Sequence, residues 1–360
     1  MANSLDDEWL NFMNDTNISN DTLYDNDDEH VMHIPKSDEL YISTQTKIAF
    51  LNREIDIYNI FWLLPIIEYY TPKIGIIKKS IKINCINNEE VIELENNIKD
   101  VKYLNMTIIN QINERKGKKL RFKDIRKIDI GLCKKDIINH RKKTKGAFYN
   151  CFALIIRIKY ENKFKEVHVK VFNTGKLEIP GIKDDTLLDL ILDILINLLR
   201  PIIDKNLCYN KDTIDTVLIN SNFNCGYYIK RNELFKRLKN HYKLHTLYDP
   251  CSYPGIQCKF YHNEHNDKFD GICHCEKSCN FKKKKKVLYE KKCTELSFMI
   301  FRTGSVLIVG NCKKDILINV YKFLTKLFHD EYHLINKKNI NIKDKKIKKT
   351  KDRKKVIYID

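Results

Sequence analysis

The sequence predicts an α+β fold made from two copies of one unit. The first observation is a repeated segment, because VFNTGKLEIPG at 171–181 and IFRTGSVLIVG at 300–310 both contain Phe-x-Thr-Gly and, after five more residues, a second Gly. Each copy continues an alternating run, which is typical of a strand that enters a Gly-centred hairpin turn. The second observation is the order strand, helix, strands, hairpin, helix, which occurs twice. Repetition of both indicates an internal duplication.

The first copy is predicted to span 39–200. Its predicted elements are a strand at 41–50, a helix from Asp56 that Pro65 bends or ends, strands at 152–160 and 166–172, the hairpin around Gly175, and a helix at 184–201. Asp184 and Thr186 supply N-cap chemistry for the last helix, and Pro201 stops it. Residues 66–145 are predicted to be an insertion of mixed strands and turns.

The second copy is predicted to span 201–335. Its predicted elements are a strand at 216–228, an amphipathic helix at 231–245, a Pro-Gly turn and strand at 253–261, a Cys-rich insertion at 262–292, the hairpin around Gly304, and a helix at 314–328. The closing helix corresponds in order to the one at 184–201.

The charge is unevenly distributed. The chain holds 65 Lys and Arg against 47 Asp and Glu, a net charge of +18, although residues 1–38 are acidic and Asn-rich up to His30 without a single Lys or Arg. We expect this N-terminal tail and the Lys-rich tail at 336–360 to be disordered. A basic folded part indicates a polyanion partner, with nucleic acid as the first candidate, or else a Lys/Asn/Ile-rich coding bias.

Several classes of function lack support. No run of about 18 apolar residues predicts a membrane span, and the acidic start is unlike a secretory signal. We therefore expect an intracellular protein whose 12 cysteines are thiols or metal ligands. We find no Gly-rich phosphate loop, nucleophile–base pair or His-Glu metal motif, so neither an enzyme nor a small-molecule substrate is predicted.

Four segments, in this order in two copies, resemble the TATA-box-binding protein family. They are FALIIRI with KVFNTGKLEIPG in the first copy, Ile219-Asn220 at the start of the second, YDPCSYPGI at 248–256, and FMIFRTGSVLIVG at 298–310. The resemblance covers 40–64, 147–200 and 216–330 without the insertion at 262–292. The two insertions and the Lys-rich composition look most like the divergent TATA-binding-protein-like factors of large DNA viruses.

The resemblance implies a saddle, in which a curved antiparallel sheet faces DNA and helices cover the convex side. It implies minor-groove binding to double-stranded A·T-rich promoter DNA, aromatic wedges that unstack base steps, and no required cofactor. It also implies docking of a B-type initiation factor at Tyr248, Asp249 and Pro250, and partnership with RNA polymerase machinery, in the nucleus, a viral factory or a virion. The DNA-binding residues that it implies are Thr44, Thr46, Phe152, Arg157, Phe172, Thr174, Lys176, Asn220, Asn222, Tyr253, Lys259, Phe301, Thr303, Leu307 and Val309.

The first copy departs from the family pattern. Its second wedge falls on Phe152 or, when the alignment is fixed at Arg157 without a gap, on Cys151. Glu178 and Pro180 stand where the family has Val and Thr, and a carboxylate facing an A·T minor groove is repelled unless it is paired. A second hypothesis therefore stays open, in which the saddle is a protein-interaction scaffold in a transcription complex that does not bend DNA.

The Cys-rich insertion is the last candidate site. Cys273, Cys275, Cys279 and Cys293 lie in a charged segment with few apolar residues, to which a zinc ion would give order. Cys258 or His274 could substitute for one ligand. Reduced surface thiols in a Lys-rich loop are the alternative.

Overall fold

The computed structural model describes residues 34–116, 119–138, 149–264, 268–275 and 293–337. By internal contacts the chain divides into Met1–Ile34 and Pro35–Asp360, and the fold is that of the second unit. The acidic tail up to residue 33 and the basic tail from residue 338 lie outside the described residues. Among the described helices, none combines the length and the apolar character that crossing a bilayer requires.

The elements of the two copies follow one another along the chain. The first copy with its insertion comprises β1 (Tyr41–Leu51), α1 (Ile57–Leu63), β2 (Gly75–Cys85), α2 (Asn88–Ile98), β3 (Leu104–Lys116), β4 (Lys119–Gly131), α3 (Lys134–Ile138), β5 (Cys151–Tyr160), β6 (Lys163–Phe172), β7 (Lys176–Ile182) and α4 (Asp185–Leu199). The second comprises β8 (Tyr209–Asn224), α5 (Arg231–Lys236) with a π-helical turn (Arg237–His241), β9 (His245–Leu247), β10 (Ile256–His262), β11 (Thr294–Ile300), β12 (Ser305–Gly310), α6 (Lys314–Asp330) and α7 (Tyr332–Ile335).

One curved antiparallel sheet carries both copies. Within the described ranges its 12 strands lie in the order β3-β4-β2-β5-β6-β7-β1-β8-β12-β11-β10-β9. The order β2-β5-β6-β7-β1 is repeated in reverse as β8-β12-β11-β10-β9, and the copies meet where β1 pairs with β8. The predicted α+β fold with a duplicated saddle-like sheet is confirmed by this topology.

The duplicated glycines perform the same task in both copies. Gly175 and Gly304 have φ of 76° and 83°, and a Cβ on either would lie 2.4 Å from the carbonyl oxygen of Arg53 or Tyr227. Each glycine carbonyl also accepts a backbone hydrogen bond at the end of the first strand of its own copy, at 2.8 Å from the N–H of Leu51, the last residue of β1, and at 2.9 Å from that of Cys225, which follows β8. Only Gly can adopt the left-handed φ and also lie this close to a neighbouring carbonyl without strain. The packing of each hairpin turn against the chain at the end of the first strand therefore explains why both copies have Gly at this position.

Helices cover one face of the sheet. In α4, Leu188, Ile191 and Leu195 are buried and belong to one cluster with Val169 and Leu177 of the strands. The N-caps predicted for the helices are confirmed, because Asp184 accepts a 2.8 Å hydrogen bond from the Leu187 N–H and Asp56 caps α1. In the second copy, α6 buries Ile316, Val320 and Leu324 among other apolar side chains in the same way.

Three predicted boundaries need correction. The range 66–145, predicted to be an insertion, contains β2, which pairs with β5 and corresponds to β9 of the second copy. The added part thus begins after Cys85, and β4 and β3 extend the sheet beyond β2. The helix predicted at 231–245 ends as a π-helical turn at His241, and the strand predicted at 216–228 is Tyr209–Asn224.

Candidate nucleic-acid interface

The face of the sheet opposite the helices is the candidate interface, and we call it the open face. Alternation along each strand divides the side chains, since Val167, Val169 and Val171 of β6 are buried while His168, Lys170 and Phe172 are half-buried. The same alternation holds in β7, in β12, in most of β11 and in the part of β8 from Ile219 onward. The open face in the two copies includes Thr44, Thr46, Ala153, Ile155, His168, Lys170, Phe172, Lys176, Glu178, Pro180, Leu218, Asn220, Asn222, Gln257, Lys259, Ser297, Met299, Leu307 and Val309.

The centre of the open face lies where the two copies meet. Asn220 is paired with Thr44 in the β1–β8 register, and its side-chain amide donates a 3.2 Å hydrogen bond to Thr44 Oγ1. Thr46 is paired with Leu218 on one side and Pro180 on the other, and it is buried. Small polar groups are thus flanked by apolar ones at the centre, with one residue from each copy in contact.

At the end of the second copy, two aromatic rings lie together. The ring centroids of Tyr253 and Phe301 are 6.0 Å apart with the planes inclined at 53°. Gly255 makes this possible, because a Cβ there would lie 2.9 Å from the Tyr253 ring and 3.0 Å from the Phe301 ring. Burial raises the pKa of the Tyr253 hydroxyl. Leu307 and Val309 continue the apolar surface toward the centre.

At the end of the first copy, the matching ring is Tyr149. Phe172 is paired with Cys151 across β5 and β6, as the register places Phe301 opposite Gly255 across β10 and β11. Tyr149 precedes Cys151 by two residues, just as Tyr253 precedes Gly255, so Tyr149 occupies the position equivalent to Tyr253. Tyr149 is 48% exposed. Sequence reasoning missed it, although aligning YNCFAL at 149–154 with YPGIQC at 253–258 gives this match without a gap.

Phe152 is not on the open face, and its assignment to DNA is wrong. Its side chain is fully buried on the helix-covered face, with its ring 6.4 Å from that of Phe61 in α1. Because neighbouring residues in a strand point to opposite faces, the one-residue difference between Cys151 and Phe152 decides which of them faces the candidate interface. Phe152 is a core residue.

The guanidinium of Arg157 is also unavailable to DNA, because it forms hydrogen bonds within the protein. Arg157 is 6% exposed, and its guanidinium donates 2.6 Å hydrogen bonds to the carbonyl oxygens of Thr71 and Tyr69 while it lies over the Tyr69 ring. These contacts fix the loop between α1 and β2 against β5. We therefore correct its predicted role from a DNA contact to a structural one.

The charges on the open face are largely arranged in pairs across strands. Lys170 Nζ lies 2.6 Å from Glu178 Oε1, with about a quarter of each side chain exposed. Lys259 Nζ lies 2.7 Å from Glu295 Oε1. The carboxylate of Glu178, which the sequence placed against the groove, therefore has a cationic partner. Lys176 lies with its Nζ 5.6 Å from the centre of the Phe172 ring.

Two further groups of predicted residues lie in turns. Thr174 is exposed in the first hairpin turn, and Thr303 Oγ1 bonds Ser305 Oγ at 3.3 Å in the second. In the loop before β10, Tyr248 lies under Arg231 and beside Phe235. Asp249 and Pro250 are exposed there.

Three of the four predicted zinc ligands come together. The sulfur atoms of Cys273, Cys275 and Cys293 all lie within 4.8 Å of one another, while Cys279 lies outside the described residues. Cys258 is separate, because it is buried on the helix-covered face beside Thr246, and burial raises the pKa of its thiol to about 12. His274 Nε2 contacts Asp270 Oδ2 at 2.8 Å and is not part of the group.

One curated relative agrees with the motifs of the sequence. No family model matches the chain. The chain is 26% identical over 208 residues to a curated protein of Acanthamoeba polyphaga mimivirus named TATA-box-binding protein-like, and the match covers 54% of this chain. The chain spans about half the length of that relative, 52%. A solved structure, Methanococcus jannaschii TBP, aligns with a TM-score of 0.36 at 11% identity, over 82% of this chain and 100% of that one. The match to the mimivirus protein confirms the resemblance read from the sequence.

Proposed function

We propose that this chain is a divergent relative of the TATA-box-binding proteins. We propose further that it is a DNA-binding transcription initiation factor that binds A·T-rich duplex DNA in the minor groove. The observation that carries the proposal is the placement of Tyr149 with Phe172, and of Tyr253 with Phe301, at equivalent positions of a duplicated open face. The name of the mimivirus relative supports the same class.

The chemistry of the open face suits an A·T minor groove. That groove presents acceptors at its base edges and has no guanine amino group, so it accepts flat apolar side chains and a few amide donors. Leu307, Val309 and Leu218 supply the apolar surface, and Asn220 and Asn222 supply the amides. Aromatic rings at the ends can enter base steps and kink the duplex, at a cost of a few kcal/mol per step that the additional contacts offset.

The test is a binding titration with a bend sensor. A duplex of A·T-rich sequence labelled at both ends reports affinity by anisotropy and bending by energy transfer. We expect the full chain to bend it and Phe301→Ala to bind weakly and lose bending at that end, because its ring is removed from the pair with Tyr253. Tyr70→Ala, which removes a 60% exposed ring on a loop, should behave as the wild type. Because the Phe301 ring is only 6% exposed, circular dichroism of Phe301→Ala must show a folded chain before its loss of bending is assigned to DNA contact.

The basic tail needs a separate control, because Lys-rich segments bind any nucleic acid through phosphate charge. Truncation after Lys337 keeps the backbone bond from Lys337 N–H to the Tyr228 carbonyl and removes the tail. Binding and bending that survive this truncation belong to the open face. If the truncated chain neither binds nor bends the duplex, the scaffold hypothesis takes the place of this proposal.

We further propose that the loop at 248–250 docks a B-type initiation factor. Asp249 stabilises the turn, since it accepts hydrogen bonds from the Cys251 N–H and from Ser252 Oγ, and these bonds lower the pKa of its carboxyl. Arg231 also holds the loop by donating to the Pro254 carbonyl. Pro250→Glu should leave the DNA complex intact and abolish the ternary complex with that factor on a native gel. A ternary complex of unchanged affinity would contradict the assignment.

A further inference from the structure

We infer that Cys273, Cys275 and Cys293 supply three thiolate ligands of a zinc site that joins the first part of the connection between β10 and β11 to its last residue. The Cys293 sulfur lies 3.5 Å from that of Cys275 and 3.9 Å from that of Cys273. Zinc bound to thiolates at about 2.3 Å in tetrahedral geometry places sulfurs about 3.8 Å apart. The spacing fits a shared metal and is far longer than the ~2.05 Å of a disulfide.

The first two cysteines are held in place by a docked turn. Gly271 has φ of 78°, and a Cβ there would lie 2.6 Å from the Phe260 ring and 2.7 Å from Leu244. Its carbonyl accepts a 3.0 Å hydrogen bond from the Tyr261 N–H, which fixes it beside β10. Phe269 adds a ring contact of 5.0 Å with Phe260. The core therefore orients this turn, and Cys273 and Cys275 follow it directly.

The third cysteine comes from the other end of the connection. Cys293 is 7% exposed and immediately precedes Thr294, the first residue of β11. Because β10 and β11 are paired, with His262 opposite Thr294, the two ends of the connection are adjacent. A metal shared by both ends would tie the connection to the rigid sheet.

Metal analysis of the full chain tests the proposal. Protein purified in reducing buffer without chelator should contain about one zinc per chain by mass spectrometry. Replacing the zinc by cobalt should give the visible bands of a tetrahedral ion together with thiolate charge-transfer absorption. Cys273→Ser and Cys275→Ser should each lose most of the bound metal.

Serine variants of cysteines outside the group show whether zinc binds at this site or to any accessible thiol of the chain. Cys208→Ser and Cys251→Ser alter exposed cysteines outside the group and should keep full metal content. Cys293 is buried, so circular dichroism accompanies Cys293→Ser, and the two partly exposed ligands decide the result if that variant fails to fold. Removing zinc from the wild type with a chelator should lower its Tm, and the two serine variants should not respond.

Any of three outcomes would overturn the proposal. One is a well-folded wild-type chain whose zinc content equals that of Cys273→Ser after identical purification. Another is metal that stays bound in all three serine variants. A disulfide between Cys275 and Cys293, found by peptide mapping of protein kept under reducing conditions, would also exclude the site. None of these results bears on DNA bending, so the zinc site and the proposed function fail independently.

Discussion

The ion pair between Lys170 and Glu178 determines whether the first copy can face DNA. In the β5–β6–β7 register these residues occupy the places that Met299 and Leu307 hold in the second copy. Lys170→Met should leave the Glu178 carboxylate facing an electronegative groove and weaken binding to A·T-rich duplex by about tenfold. We expect the double variant with Glu178→Leu to recover the affinity, because it reproduces the pair found in the second copy.

Anisotropy titrations measure the DNA affinity of the wild type, of both single variants and of the double variant, which together form a double-mutant cycle. The coupling between the two positions in binding is the quantity measured, and thermal unfolding of all four proteins shows whether each is folded under the titration conditions. Additive effects, with no rescue in the double variant, would show that this part of the open face does not meet DNA.

Alanine substitutions at Phe152 and Tyr149 should have opposite effects: the first should lower stability, and the second should reduce DNA bending. Phe152→Ala removes a fully buried ring from the core and should lower the free energy of unfolding by about 3–5 kcal/mol. Tyr149→Ala removes a half-exposed ring whose contact is Lys82 Nζ at 3.9 Å, at about 0.5–1 kcal/mol. Denaturant titration checks both values. Bending by the first copy should be lost in Tyr149→Ala, and equal stability losses would contradict the assignment of faces.

The sequence could predict the second-copy rings and the central Asn220, because their signals lie in contiguous motifs. It could not decide between Cys151 and Phe152, since that choice depends on the register with Phe172 in another strand. A one-residue change of register moves every side chain to the other face. Arg157 was misassigned for a similar reason, as its partners Tyr69 and Thr71 lie far away in the chain.

At the scale of elements, local patterns predicted the strands and capped helices next to each hairpin. They did not separate β2 from the insertion, because β2 pairs with β4 and β5, and both partners are distant in sequence. Its alternation, KKSIKINC, is that of an ordinary strand and does not show which sheet neighbour it has. Long-range pairing is therefore the information that the sequence lacked.

Glu331, at the end of α6, forms hydrogen bonds with residues of the helical segment that follows α5. These bonds predict that the stability of the fold depends on pH. The Glu331 carboxylate is 4% exposed and accepts 2.7 Å hydrogen bonds from Arg237 and one of 3.1 Å from the Tyr242 hydroxyl. The bonds from Arg237 lower the pKa of Glu331 below its ordinary value. The pair therefore stabilises the fold fully above the unfolded pKa of about 4.3, and the contribution disappears as the pH falls through the folded pKa.

Thermal unfolding between pH 7 and pH 3 checks this prediction. Glu331→Gln should have a lower Tm than the wild type at pH 7, with a constant difference down to about pH 5 that narrows below about pH 4. Glu233→Gln is the matched control, because its pair with Lys236 is exposed on α5 and should change Tm little. A Tm difference that widens as the pH falls would contradict the role of the carboxylate.

On the scale of the whole molecule, the duplication predicts two separate kinks. Each copy places its aromatic rings at one end of the open face, so each should open its own base step. The double variant Tyr149→Ala with Phe172→Ala should retain the kink made by Tyr253 and Phe301, and the reciprocal double variant should retain the other. Removing all four rings should leave a nearly straight complex held by phosphate contacts.

The two kinks should differ in strength. In the second copy Gly255 lets the rings approach, whereas in the first copy the side chain of Cys151 occupies that place and Tyr149 lies against Lys82. We therefore expect the chain that keeps only the second-copy rings to bend the duplex more and bind more tightly than its reciprocal. Energy transfer across a duplex of about 20–30 bp, over which bends of 40–90° cost of order 1–6 kcal/mol, resolves the two. Equal bends from both variants would mean that Gly255 has no part in shaping the stronger end, and a full bend without any of the four rings would place the kinks elsewhere on the open face.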